Sequence, residues 1–215
     1  MSSASYVFHT QTSGTRPNLQ SLVYDCKEPP DSVLILPDLQ LALGPVRNTL
    51  TKLVIRFNSD IGPLSGFALV AGTLVGYLGW LAGLEDLEIP LGVLYGLTEP
   101  QSAPPLSNAF PAGLKRLTIN NDLWQGQSLT SSLWRFEPSG ALLKAFFSGA
   151  WKSATPLLEE FVLDLRNNGK DRSREYWGRK EIREELQELV ESQGMRCSVY
   201  WDANREPYTM ASVLE

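Results

Sequence analysis

This chain of 215 residues is poor in the side chains that most often carry chemistry. It has one histidine, His9, and two cysteines, Cys26 and Cys197. A lone histidine near the N-terminus excludes most zinc sites. It leaves no imidazole in the rest of the chain for a Ser-His-Asp or Cys-His arrangement. A disulfide between cysteines at opposite ends would have to span almost the whole chain. Two reduced, buried or half-buried thiols are expected instead, which suits a cytoplasmic or nuclear protein. There is no Gly-rich phosphate loop, no HExxH and no GxSxG. The acidic pairs Glu159–Glu160 and Glu184–Glu185 are adjacent in sequence, so they read as solvated faces and not as acid/base dyads. No enzymatic activity, cofactor or metal is expected; a hydrolase with no recognisable motif is one alternative.

Charge is also scarce. Charged residues make up 20% of the chain, below the usual quarter, and the net charge is −5. That argues against nucleic acid, which needs a basic face. From Ile61 to Leu84 there is no charged residue at all, which invites a transmembrane reading. Six glycines and Pro63 make the stretch less apolar than its lack of charge suggests. A helix near Gly72–Ala82 is expected there, with Leu74, Leu78 and Leu81 in one stripe and Tyr77 and Trp80 beside it. A membrane-associated protein anchored by 61–84 is the other alternative. The segment Met1–Asn18 is rich in Ser and Thr, with no long apolar run, so it is not a secretory signal. It reads as a flexible lead-in with a short extended piece at Tyr6–His9.

What the chain does have is a repeated string. It reads LQSLVY at Leu19–Tyr24, LTKLVI at Leu50–Ile55, LEDLEI at Leu84–Ile89, LKRLTI at Leu114–Ile119 and LEEFVL at Leu158–Leu163. The pattern of apolar, two variable, apolar, one variable, apolar is the strand signature of a leucine-rich repeat. Each copy is too short to fold alone and must stack on its neighbours to bury its apolar face. The copies begin 31, 34, 30 and 44 residues apart, with 37 more to Met195. Standard leucine-rich repeats run about 20–29 residues, so each unit here has room for a helix and a long loop. The asparagine expected three positions after the last apolar residue occurs once, as Asn58; Lys27, Gly92, Asp122 and Arg166 stand elsewhere. The expected fold is therefore α/β: an irregular leucine-rich-repeat-like solenoid over 19–202, with five to six parallel strands and helices on the other face. Residues 203–215 read as a loosely ordered tail.

The segments between the strings agree. Asp25–Asp31 reads as loop. Leu36, Leu39, Leu43 and Val46 predict a helix starting near Pro37. Val93–Leu97 has room for one helical turn, and Thr98–Ala112 reads as a proline-rich loop. Leu142, Leu143, Phe146 and Phe147 predict a helix over Gly140–Trp151. Ile182, Leu186, Leu189 and Val190 predict an amphipathic helix from about Arg179 to Ser192, with Gly194 placed to end it. Met195–Trp201 reads as a final strand with Met195, Cys197, Val199 and Trp201 on one side.

The strings LEDLEIPLGVLYG, FPAGLKRLTINNDLW and PLLEEFVLDL, with the closing helix and MRCSVYWD, resemble the C-terminal half of fungal F-box proteins with leucine-rich-repeat-like domains. The resemblance covers about Leu19 to Asp202. It implies a substrate-recognition role in a ubiquitin-ligase adaptor. Eighteen residues precede the first strand, too few for an F-box. Ligase subunits are therefore expected partners only if an F-box is supplied elsewhere. The family brings no catalytic residues.

Within each string the variable residues face away from the apolar side. Aligned copies place Ser21, Lys52, Asp86, Arg116 and Glu160 in one lateral row. The last four alternate in sign, and strands lie about 4.8 Å apart, so each charge sits beside its opposite. Such a row is a self-neutralising ladder, each exposed pair contributing about 0–1 kcal/mol, and equally a polar recognition surface. A second row, Asp25, Arg56, Pro90, Asn120 and Asp164, is less regular, and Glu88 faces the same way. Trp124, Trp134 and Trp151 read as core or capping residues. Trp177, in the hydrophilic segment RNNGKDRSREYWGRK, reads as the best exposed aromatic. The candidate binding set is Lys52, Arg56, Asp86, Glu88, Arg116, Asn120, Glu160, Asp164 and Trp177, and the expected partner is another protein.

Overall fold

Each repeated string becomes a strand, because its alternate apolar residues can be buried only by lateral stacking. The computed structural model describes residues 18–26, 33–57, 69–96, 98–121, 137–166 and 176–201. The lead-in with its piece at Tyr6–His9, the aromatics Trp124 and Trp134, the side chain of Cys26 and the tail 203–215 lie outside the described residues. The main sheet has strands β1 (Ser21–Cys26), β3 (Lys52–Phe57), β5 (Asp86–Pro90), β6 (Arg116–Asn120), β7 (Glu160–Asp164) and β8 (Arg196–Tyr200). All six are parallel, in the order β1-β3-β5-β6-β7-β8. A short parallel pair, β2 (Val33–Ile35) with β4 (Leu69–Ala71), stands apart. The strand at the start of the chain runs on through Asp25 and Cys26, where a loop is expected.

One backbone step sets the register and recurs along the sheet. The Gln20 carbonyl accepts from the N–H groups of Thr51 and Lys52, at 2.8 and 3.0 Å. The Thr51 carbonyl does the same for Glu85 and Asp86, that of Glu85 for Lys115 and Arg116, and that of Lys115 for Glu159 and Glu160. Arg196 N–H then donates to the Glu159 carbonyl at 2.9 Å. A slip of one residue would turn every side chain to the wrong face, so this step protects the whole pattern.

The apolar face packs against helices. Leu53, Leu87, Leu117 and Phe161 form one fully buried row, and Ile55, Ile89, Ile119 and Leu163 form the next. Helices α1 (Leu36–Leu43), α2 (Leu91–Tyr95), α3 (Glu137–Ala145), α4 (Trp151–Ala154) and α5 (Lys180–Ser192) add buried residues to the same cluster, among them Leu43, Leu94, Leu143, Trp151, Leu186 and Val190. A π turn, Phe146–Ala150, joins α3 to α4 and brings Phe147 within 4.7 Å of the Phe161 ring centroid. The expected helices near Pro37, at Val93 and from Arg179 are present; the one expected from Gly140 begins at Glu137. Thr98–Ala112 holds only single 3-10 turns, at Pro100–Ser102 and Leu106–Asn108.

The helix expected at Gly72–Ala82 is absent. Gly72 and Gly76 adopt φ of 92° and 82°, left-handed values that interrupt a right-handed helix. A 3-10 turn at Leu78–Trp80 follows. The backbone N–H of Leu74 and the hydroxyl of Thr73 both donate to the Leu94 carbonyl at the end of α2, which ties the segment down. Leu74, Leu78 and Leu81 are nonetheless fully buried, so turns satisfy the apolar stripe without a helix. No helix among the described residues is long and apolar enough to cross a membrane.

Candidate functional site

The open face of the sheet carries the first row in register. Ser21 pairs with Lys52, Lys52 with Asp86, Asp86 with Arg116 and Arg116 with Glu160. The row continues one strand further than the five aligned strings indicate: Glu160 pairs with Arg196 of β8. GMRCSV is a sixth, degenerate copy of the template, with Gly194 where the others begin with Leu, and aligning it would have found Arg196. Lys52 Nζ lies 2.6 Å from Asp86 Oδ2. Glu160 stands between two guanidiniums, 3.7 Å from Arg116 Nη2 and 3.4 Å from Arg196 Nη2.

The second row forms a tighter network near the C-terminal ends of the strands. Arg56 binds Glu88 with two parallel contacts, Nε to Oε1 at 2.5 Å and Nη2 to Oε2 at 2.7 Å. That pairing is diagonal, because the β3–β5 ladder ends at Val54 and Glu88. Asn120 Nδ2 reaches Glu88 Oε1 at 3.5 Å and the Ile55 carbonyl at 3.1 Å. Asp164 receives three hydrogen bonds from Arg166, from Nε at 2.9 Å, Nη2 at 2.6 Å and the backbone N–H at 3.1 Å. The Arg166 guanidinium lies 4.8 Å from the Tyr200 ring centroid, a cation–π contact. Partial burial pushes the Asp164 carboxyl up, but the Arg166 hydrogen bonds and charge, with the more distant Arg56, outweigh it and leave Asp164 below its ordinary range. The same partnership raises Arg166. Arg166 and Tyr200 were not among the sequence candidates. Arg166 occupies the position where the repeat template expects asparagine, and Tyr200 pairs with Asp164, one residue beyond the end of the sixth copy.

Two expectations need correction. Asn120 is not an open recognition residue: it is 3% exposed. The centre of this face is covered too, since Val54, Thr118 and Val162 are buried between the charged rows. Trp177 is fully buried and belongs to the core cluster. It sits edge-on to Tyr176 at 5.1 Å in a helical turn just before α5, and its carbonyl accepts from the Arg183 guanidinium. Arg179 and Lys180 beside it are exposed, and the indole turns inward because it has a large apolar area to bury. Trp151 is buried, as expected.

Among the described residues, no group of three His, Cys, Asp or Glu could hold a metal ion. Cys197 is a free, half-buried thiol whose pKa is pushed up to about 12 by burial and by Glu191. That makes it a weak nucleophile. On the other side of the fold, exposed Leu41 and Trp80 line a shallow apolar hollow with Pro37, Gln40 and Tyr77. No protein-family model matches the chain, and no curated protein or solved structure is significantly similar to it.

Proposed function

We propose that this protein is a protein–protein recognition module, an irregular leucine-rich-repeat-like solenoid that binds its partner on the charged face of the six-stranded sheet. The observation that carries this is the unbroken lateral row from Lys52 to Arg196, held in register across five strands. A parallel sheet with both faces covered by helices buries near-continuous apolar strands. Here one face is apolar and fully packed while the other keeps charges at the surface, with Arg196 74% exposed. Sequential parallel order and the repeated backbone step support the solenoid reading. The resemblance to fungal F-box proteins supports a role in substrate recognition for a ubiquitin ligase.

The test is affinity capture from cells with two baits, the natural chain and a row-reversed variant carrying Lys52→Glu, Asp86→Lys, Arg116→Glu and Glu160→Lys. A stoichiometric partner recovered by the first and lost by the second is the expected result. A partner retained equally by both would place the binding surface elsewhere. Recovery of no protein by either bait would count against recognition as the function.

A further inference from the structure

Among the described residues, the ion pairs of the open face fall into two classes. Three are short enough to be charge-assisted hydrogen bonds: Lys52–Asp86 at 2.6 Å, Arg56–Glu88 at 2.5 and 2.7 Å, and Arg166–Asp164 at 2.6 and 2.9 Å. The other two are long, Arg116–Glu160 at 3.7 Å and Arg196–Glu160 at 3.4 Å. One carboxylate, itself only 21% exposed, is shared by two guanidiniums that are 46% and 74% exposed. Along the row three cations, Lys52, Arg116 and Arg196, face two anions, Asp86 and Glu160, and the surplus lies at the β6–β8 end. Glu159 does not cancel it, because it precedes the strand and alternation turns it off this face.

We propose that Arg116 and Arg196 form the anchor point for an acidic segment of a partner protein, whose carboxylates complete the two guanidinium forks that Glu160 leaves open. Guanidinium favours bidentate carboxylate partners, so each arginine has one natural ligand class here. The spacing narrows the segment further. Arg116 and Arg196 stand two strands apart, about 9.6 Å at the usual strand separation. Polyproline II rises about 3.1 Å per residue and returns a side chain to the same side every third residue, which gives about 9.3 Å. Alternate residues of a β-strand are only about 6.7 Å apart, and helical neighbours about 5–6 Å. The fitting ligand is therefore an extended, acidic segment with carboxylates at every third position. Exposed Tyr200, with Arg166 stacked on it, flanks the anchor along β8 and offers an aromatic edge to such a chain.

This assignment rests on the recognition reading but is tested separately, by fluorescence anisotropy with a labelled proline-rich peptide carrying glutamate at every third position. Controls are the same peptide with lysine, an isomer with its glutamates in one block, and a version with phosphoserine for glutamate. The natural chain should bind the spaced glutamate peptide and ignore the lysine peptide, with affinity falling as salt rises. The double variant Arg116→Glu with Arg196→Glu should bind about tenfold more weakly or worse, the loss expected for charged hydrogen bonds. Glu160→Gln should bind more tightly, since it frees both forks. Lys180→Glu, on α5, should change nothing. Circular dichroism checks that each variant is folded. Equal binding of the glutamate and lysine peptides, or of natural chain and double variant, would overturn the proposal. Equal binding of the blocked isomer would overturn the two-arginine site, and binding of the phosphoserine peptide alone would assign the site to phosphate. If these peptides fail while row reversal still abolishes capture of a cellular partner, the acidic-segment assignment falls and the recognition function stands.

Discussion

Asn120 donates from its side-chain amide to the carbonyl of Ile55 at 3.1 Å, and strand β5 lies between the two. The reach has a cause in β5. Asp86 N–H donates to the Thr51 carbonyl, and continuing that register two residues at a time assigns the Ile55 carbonyl to the N–H of residue 90. Residue 90 is proline and has no N–H. Asn120 supplies the missing donor. Asn120→Ala should therefore cost about 1–3 kcal/mol, the penalty of a buried acceptor left unmade. Adding Pro90→Ala should recover part of that loss by returning an N–H to the ladder. Urea denaturation of the two single variants and the double variant measures this. Additive losses would sink the explanation.

The Lys52–Asp86 pair gives the opposite expectation. It is short, but its side chains are 44% and 24% exposed, and an exposed pair contributes about 0–1 kcal/mol. Lys52→Ala should change stability by no more than that, and the change should shrink in high salt. A loss of several kcal/mol would mean that the first row is chiefly structural and would weaken its assignment as a recognition surface.

These two residues show where sequence reading works and where it stops. Lys52 could be placed because a template repeat fixes lateral neighbours: if the leucines align, so do the residues between them. The parallel order, the register and the buried rows follow from the same alternation. Asn120 is placed correctly in the second row, but its hydrogen bond to the Ile55 carbonyl depends on Pro90 in another strand, which no single copy reveals. Arg196 was hidden because the sixth copy, GMRCSV, begins with Gly and carries Cys where the other copies have Leu or Phe. Trp177 failed for a different reason. Local hydrophilicity describes a segment's average, while burial is decided side chain by side chain. Gly72 and Gly76 defeated the helix expected over Gly72–Ala82, since an apolar stripe at helical spacing is also satisfied by successive turns.

Asp164 predicts a pH dependence with a definite sign. Its folded pKa lies below the ordinary value of 3.8. The unfolded chain therefore takes up a proton first as pH falls. Its stabilising contribution is fully present above the ordinary carboxylate range and is lost as pH drops through that range toward the lowered folded value. Asp164→Asn should be less stable at neutral pH and should show a shallower acid limb in thermal or urea unfolding. An unchanged acid limb would show that the Arg166 partnership does not distinguish the folded state.

The contact between Gly140 and Tyr176 offers the sharpest packing test. A Cβ built on Gly140 would collide with the Tyr176 ring, including Cε1 at 2.8 Å. Gly140 is inside α3, where glycine is about 1 kcal/mol worse than alanine on propensity alone. Propensity thus favours Gly140→Ala and packing opposes it. The ring cannot yield easily, because Tyr176 is held edge-on to buried Trp177 and under the Arg179 guanidinium at 5.4 Å. Overpacking costs about 1–3 kcal/mol, so packing should win and Gly140→Ala should be net destabilising. Tyr176→Ala removes the obstacle at its own cost in buried area. In that background Gly140→Ala should become neutral or stabilising, because only the helix-propensity gain remains. A double-variant cycle followed by thermal unfolding reads the coupling directly, and the same destabilisation with or without the ring would show that the glycine is required for a reason other than this contact.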